Sequence, residues 1–140
     1  MVPVNYLAIL VAALLSMVLG SIWYGPLFGK PWMKMMGMKK ESMTGISGAE
    51  MGKLYGIQFI GSLLMAFVLS HALVFAKAYL GSTGLSAGLQ TGFWNWLGFA
   101  APVTLTTVLW EGKPWKLWLL NNGYYLLLLM MMGVVLSLWV

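Results

Sequence analysis

The chain has 140 residues, no cysteine, and a formal charge of +5 from eight lysines and three glutamates, with neither arginine nor aspartate. Residues of the AVILMFWYC set make up 61% and charged residues only 8%, against about 25% charged in a soluble domain. Too few ionised side chains exist to cover the exterior in water, so lipid must be much of the solvent. The absence of arginine argues against nucleic acid as a partner, since no guanidinium is there to read a base edge or clamp a phosphate. The absence of cysteine removes disulfides, thiolate nucleophiles and cysteine-based metal sites.

Four stretches meet the length of about 20 apolar helical residues that crosses about 30 Å of hydrocarbon: residues 6–24, 54–76, 89–110 and 117–140. None carries Asp, Glu, Lys or Arg in its middle, and none shows the polar stripe of a soluble helix. The run Leu126 to Met132 is apolar on every side, which does not fit the period-two alternation of a barrel strand. The first stretch could be mistaken for a signal peptide, although its apolar run, residues 6–24, is longer than the roughly 7 to 15 residues of such a peptide's apolar region. Its leading segment has no lysine, and Trp23 and Tyr24 stand where a small-residue cleavage site is needed, so it is expected to be retained.

Lysines orient the expected bundle. Lys30, Lys34, Lys39, Lys40 and Lys53 follow the first stretch and Lys113 and Lys116 follow the third, while Lys77 alone lies at the other face. The positive-inside rule then places both lysine-bearing loops in the cytoplasm. The expected fold is all-α: a polytopic protein with four transmembrane helices in an up-down bundle, both termini extracytoplasmic, and one domain over 1–140 with a cytoplasmic loop at about 25–53.

Local signals set the boundaries. Gly25 followed by Pro26 is expected to stop helix one, because proline cannot continue a helix. Ser47-Gly48-Ala49-Glu50 has capping-box spacing, so the second helix is expected to begin near Gly48 and run to about Lys77. Gly112 is expected to end the third helix and Pro114 to open the fourth. Within the long loop, Pro31 to Met36 can form a short helix in the headgroup layer, with Trp32 and methionines toward acyl chains and lysines toward phosphates. Lys39 to Gly45 reads as a mobile turn. Gly29-Lys30-Pro31-Trp32 is echoed by Gly112-Lys113-Pro114-Trp115, from shared boundary chemistry or from duplication of a two-helix unit.

Small residues recur every four positions in helix one, at Ala8, Ala12, Ser16 and Gly20, and again at Gly84, Gly88 and Gly92. They point to close helix packing, within one chain or in a homo-oligomer; a glycine-lined pore is the alternative. Pro102 interrupts the third stretch and marks a kink, either a packing device or the wall of a substrate path.

Polar residues fall into two bands. The outer one holds Asn5, His71 and Asn95, with His71 and Asn95 both roughly 8 to 9 Å below the same boundary at about 1.5 Å per residue. Apart from tyrosines, His71 is the one titratable side chain well inside a span, so a proton- or ligand-responsive role stands beside a purely structural one and a metal-ligand role. The inner band contains Gln58, Thr106, Glu111, Asn121 and Asn122, together with Trp23, Tyr24, Thr107, Tyr124 and Tyr125. It either fixes helix register or walls a shallow cavity.

No set of catalytic residues emerges. The three glutamates lie at or beyond the membrane edge, and neither phosphate-loop nor HExxH patterns occur. Six methionines lie between Met33 and Met51, but a copper site of that kind usually adds Cys or His, and the loop has neither. No metal or cofactor is expected.

Asn5-Tyr6-Leu7-Ala8, then Trp23-Tyr24-Gly25-Pro26-Leu27-Phe28-Gly29-Lys30 with Trp32, Trp96-Leu97-Gly98-Phe99, Asn122-Gly123-Tyr124 and Met132-Gly133 together resemble the prokaryotic membrane family called domain of unknown function 1761. The block from Trp23 to Lys30 is the most specific part, with Gly25 where the family commonly has serine. The resemblance implies a small multi-pass protein of a bacterial or archaeal cytoplasmic membrane, and brings no substrate, reaction or catalytic residue with it. The leading expectation is a non-enzymatic structural or accessory component, with lipid as its principal partner. A small-solute channel or transporter comes next, its substrate unnamed, and a membrane enzyme last.

Overall fold

The computed structural model describes residues 1–39, 41 and 44–139. The turn expected from Lys39 to Gly45 therefore falls partly outside the described residues, which leave out Lys40, Ser42 and Met43.

Helix α1 spans Tyr6–Ile22. Asn5 caps it, its Oδ1 accepting from the Ala8 N–H at 3.1 Å, which satisfies one of the orphan donors of the first turn. Gly25 and Pro26 do not stop the helix at once. The backbone widens instead into a π-helical turn, Trp23–Leu27, in which the Phe28 N–H donates to the Trp23 carbonyl at 2.8 Å. The wider i to i+5 spacing carries Pro26, which has no N–H to give. Helix α2, Gly29–Met36, follows and closes on Gly37 at φ 71°.

Helix α3 runs from Gly48–Leu80. Its capping box is complete: the Glu50 N–H donates to Ser47 Oγ at 3.2 Å and the Ser47 N–H to Glu50 Oε2 at 3.4 Å. Gly81, in the left-handed region at φ 66°, ends it.

The third apolar stretch departs from expectation. It is divided into α4 (Gly84–Asn95), a π-helical turn (Trp96–Ala100), and the short helices α5 (Ala101–Thr104) and α6 (Thr106–Leu109). Hydropathy registers the side chains and misses what breaks the ladder here. The Ala101 N–H reaches back five residues to the Trp96 carbonyl, Pro102 has no N–H, and the Leu105 N–H reaches only to Pro102 O at 3.3 Å. Helix α7, Trp115–Leu138, follows, with Pro114 at its cap and not at its first helical position.

Among the described residues, three helical runs are long and apolar enough to cross a membrane: Tyr6–Leu27, Gly48–Leu80 and Trp115–Leu138, of 22, 33 and 24 residues. The expected count of four transmembrane helices is thereby corrected to three within an all-α fold, because residues 89–110 form no unbroken helix of spanning length.

Helix α7 is the element that α1, α3 and α4 all touch. Its contact with α4 is backbone to backbone: a Cβ on Gly88 would stand 2.5 Å from the Gly133 carbonyl oxygen, and one on Gly92 would stand 2.5 Å from that of Leu129. Glycine permits this approach where lipid supplies no hydrophobic drive. The stripe of α1 is spent inside the chain as well, with Ala8, Ala12 and Ser16 buried and Gly20 facing the Tyr124 hydroxyl. A core of Ile9, Ala66, Leu69, Leu128 and Met132 fills the centre. Large apolar side chains such as Leu14, Val18, Ile57, Ile60 and Leu119 remain exposed outward, where acyl chains would cover them.

Candidate functional site

At one end of the bundle the π-helical turn after α1 turns two aromatic residues onto α7. The Trp23 indole N–H donates to the Leu120 carbonyl at 3.2 Å, its ring lying over Gly123, where a Cβ would come within 3.3 Å of it. The Tyr24 hydroxyl donates to Asn121 Oδ1 at 2.8 Å. Tyr24 also meets Trp32 of α2 edge-on, with ring centroids 5.4 Å apart, and Tyr124 at 5.1 Å. The start of α2 presses on the Tyr24 carbonyl so closely that a Cβ on Gly29 would stand 2.5 Å from it. Membrane-end geometry is thus fixed by local sequence: a widened turn, a glycine and three aromatics.

One residue further along α7, Asn122 is buried and turned toward the broken segment. Its Nδ2 donates to Thr104 Oγ1 at 2.9 Å and to the Trp118 carbonyl at 3.1 Å, which uses both amide protons. Thr104 Oγ1 in turn lies 2.7 Å from the Ala100 carbonyl, the acceptor to which it donates. Threonine thereby ties the carbonyl end of the π-helical turn to α7. The amide protons of Asn122 and the hydroxyl proton of Thr104 are thereby partnered, as burial in low dielectric favours. The neighbouring indole N–H groups of Trp96 and Trp118 are buried without a hydrogen-bond partner among the described residues. The chemistry of this chain of bonds is that of a clamp: no member is a free nucleophile or base.

The inner-band residues separate. Asn121 and Asn122 enter this junction, whereas Gln58, Thr106 and Glu111 are exposed. Gln58 takes part through its backbone carbonyl, which accepts from Ser62 Oγ at 3.0 Å, and the Thr106 hydroxyl bonds Val103 O at 3.1 Å. Thr104 was not among the expected residues. Its signal was the position two residues after Pro102, where a hydroxyl can serve a carbonyl of the interrupted ladder.

The outer-band residues each bond elsewhere. Asn5 Nδ2 donates to the Trp139 carbonyl at 3.2 Å, tying the start of α1 to the end of α7. His71 Nδ1 lies 2.8 Å from the Phe67 carbonyl of its own helix, its ring 4.4 Å from that of Phe67. Asn95 Nδ2 donates to Thr91 O at 2.8 Å. No hydrogen bond joins the three to one another. Nearby, the Lys77 ammonium donates to the Ser137 carbonyl at 3.1 Å and the Ser137 hydroxyl to the Gly84 carbonyl at 2.5 Å.

Asn95 lines two cavities in the seam between α3 and the broken segment. The larger, of about 550 Å³, is walled by Leu64, Val68, Phe99 and Leu129 among others. The smaller, of about 130 Å³, lies toward Leu80 and Ser82 and takes Gln90 and Trp94 into its wall. His71 lines neither. Among the described residues, no group of three His, Asp or Glu side chains comes together to hold a metal.

Residues 7–137 match the model of a family described as protein of unknown function, DUF1761. The chain belongs to this family. In this DUF1761 protein the block from Trp23 to Lys30 forms the π-helical turn and the start of α2, which dock on α7 at Leu120 and Asn121. Family membership and the three apolar helices together support a prokaryotic membrane protein of all-α fold. Comparison with curated proteins and with solved structures gives no match.

Proposed function

We infer that this DUF1761 protein is a structural or accessory component of a prokaryotic cytoplasmic membrane, acting through packing in lipid and not through a reaction of its own. One observation carries the reading. The larger cavity has Asn95 as its single polar lining residue, beside Leu64, Met65, Val68, Leu69, Phe99, Ala100 and Leu129. A path for a polar solute needs polar walls to replace water, whereas apolar walls suit an acyl chain. The buried Asn122, with Thr104, Tyr24 and Asn121, is occupied in holding helices together.

Helix α2 supports the same reading. Lys30 and Lys34 are exposed while Trp32, Met33, Met35 and Met36 are partly covered, the distribution of a helix lying in the headgroup layer. The small-residue stripes that pointed to a homo-oligomer are used within the chain, so association between copies falls to the outward apolar faces.

Transport of a small solute is the second reading, favoured by the broken helix beside the cavity, a feature that lines binding sites in transporters. Mass spectrometry of whatever co-purifies with the gently extracted protein separates the two. The accessory reading expects lipid and a membrane-protein partner; a tightly held polar metabolite would favour transport.

A further inference from the structure

We propose that the seam between α3 and α4 is a binding site for one anionic phospholipid, with an acyl chain along the groove and the phosphate received beside Lys77. This deepens the membrane-component reading and rests on it.

The groove has direction. On α3 its wall is the stripe Leu64, Val68, Ala72, Ala76 and Leu80, spaced by four residues and therefore on one face. From Leu64 to Leu80 the stripe is about 24 Å long at 1.5 Å per residue. One leaflet offers roughly 15 Å of hydrocarbon and about 5 to 8 Å of headgroup layer, so the groove has the length of a single lipid. Its two cavities share Asn95 as a common wall. The larger one is apolar except for Asn95, and the smaller one adds Ser82, Gln90 and Thr91. An amphipathic molecule fits that gradient, with the chain inward and the polar part outward.

Charge selects among amphiphiles. Lys77, next in sequence to Ala76 of the stripe but not itself in the wall of either cavity, is half-buried, with its ammonium held by Ser137 O of α7, the helix that also supplies Leu129 to the larger cavity. An ammonium has three protons, and among the described residues this is its single hydrogen bond, so two remain. The acid of its own helix, Glu50, stands at the far end, about 40 Å away at 1.5 Å per residue. A cation with no carboxylate partner among the described residues, at the lipid headgroup level, is matched by a phosphate. Asn95 spends one amide proton on Thr91 O; the other is free to meet an ester carbonyl below the phosphate.

The test is native mass spectrometry of the full chain, extracted into micelles holding equal amounts of phosphatidylglycerol and phosphatidylcholine. Wild type should retain one lipid, with phosphatidylglycerol preferred about fivefold, the equivalent of about 1 kcal/mol for one lysine at an anionic surface. Val68→Phe and Ala76→Phe, which fill the groove, should lose it. Leu14→Phe, exposed on α1 and outside the groove, should keep it. Lys77→Gln, which retains a donor for Ser137 O, should keep the helical circular dichroism and retain both lipids equally. Unchanged retention in both groove variants, or an unchanged preference in Lys77→Gln, would overturn the assignment. So would a dimer signal lost in the groove variants, since the occupant would then be a second copy. Protein-dependent passage of a polar solute across liposomes would instead strike the underlying reading, which separates the two failures.

Discussion

Asn122 Nδ2 lies 2.9 Å from Thr104 Oγ1, a bond that joins the unbroken helix α7 to α5, the short helix that contains Pro102. It closes the weakest stretch of backbone onto the most widely shared helix. Replacing Asn122 with Leu removes the donor and should cost about 1 kcal/mol, up to roughly 2, the range of interhelical hydrogen bonds in membranes. Thr104→Val should cost a similar amount, and the double variant should cost less than the two together. Denaturant unfolding of the purified protein measures all three.

The glycine contacts between α4 and α7 should be less forgiving. Gly88→Ala places a methyl 2.5 Å from the Gly133 carbonyl oxygen, with backbone and not a movable side chain in the way, so a loss of about 1 to 3 kcal/mol is expected. Gly61→Ala, with nothing within 4 Å, should be neutral or gain up to about 1 kcal/mol from helix propensity. Melting temperatures in one detergent give the comparison.

Gly20→Leu tests whether the stripe of α1 serves the chain or a partner. A Cβ there would stand 3.0 Å from the Tyr124 hydroxyl, so the larger side chain should lower thermal stability while light scattering shows an unchanged oligomer size. A changed size with stability intact would place that face at an interface between copies.

His71→Gln should assemble and melt like wild type, because glutamine keeps a donor on the side chain and His71 bonds only the Phe67 carbonyl of its own helix. A large loss of stability would show that the ring contact with Phe67, 4.4 Å between centroids, is what the position requires.

Much of this architecture is written in short-range chemistry. The capping box at Ser47 and Glu50, the left-handed glycines Gly81 and Gly112, and the length of α3 follow from spacing that a few neighbours decide. The break from Trp96 to Leu105 is less legible, because hydropathy is a sum over side chains whereas the break lies in which carbonyl each N–H reaches. That same break hid Thr104. A π-helical turn holds one extra residue, which rotates everything after it by about 100°. Depth alone therefore pointed to Thr106, while the shifted phase brings Thr104 to Asn122. The outer residues were not legible in rotation: His71 and Asn95 each bond a carbonyl four residues back in their own helix.

The central claim is that the groove between α3 and the broken segment is apolar and held for lipid. Uptake of small neutral and charged solutes into liposomes carrying the purified protein tests it most directly. Uptake should equal that of protein-free liposomes for every solute across the pH range tested. Saturable, protein-dependent uptake of any one of them, lost when Val68→Phe narrows the cavity, would contradict the claim.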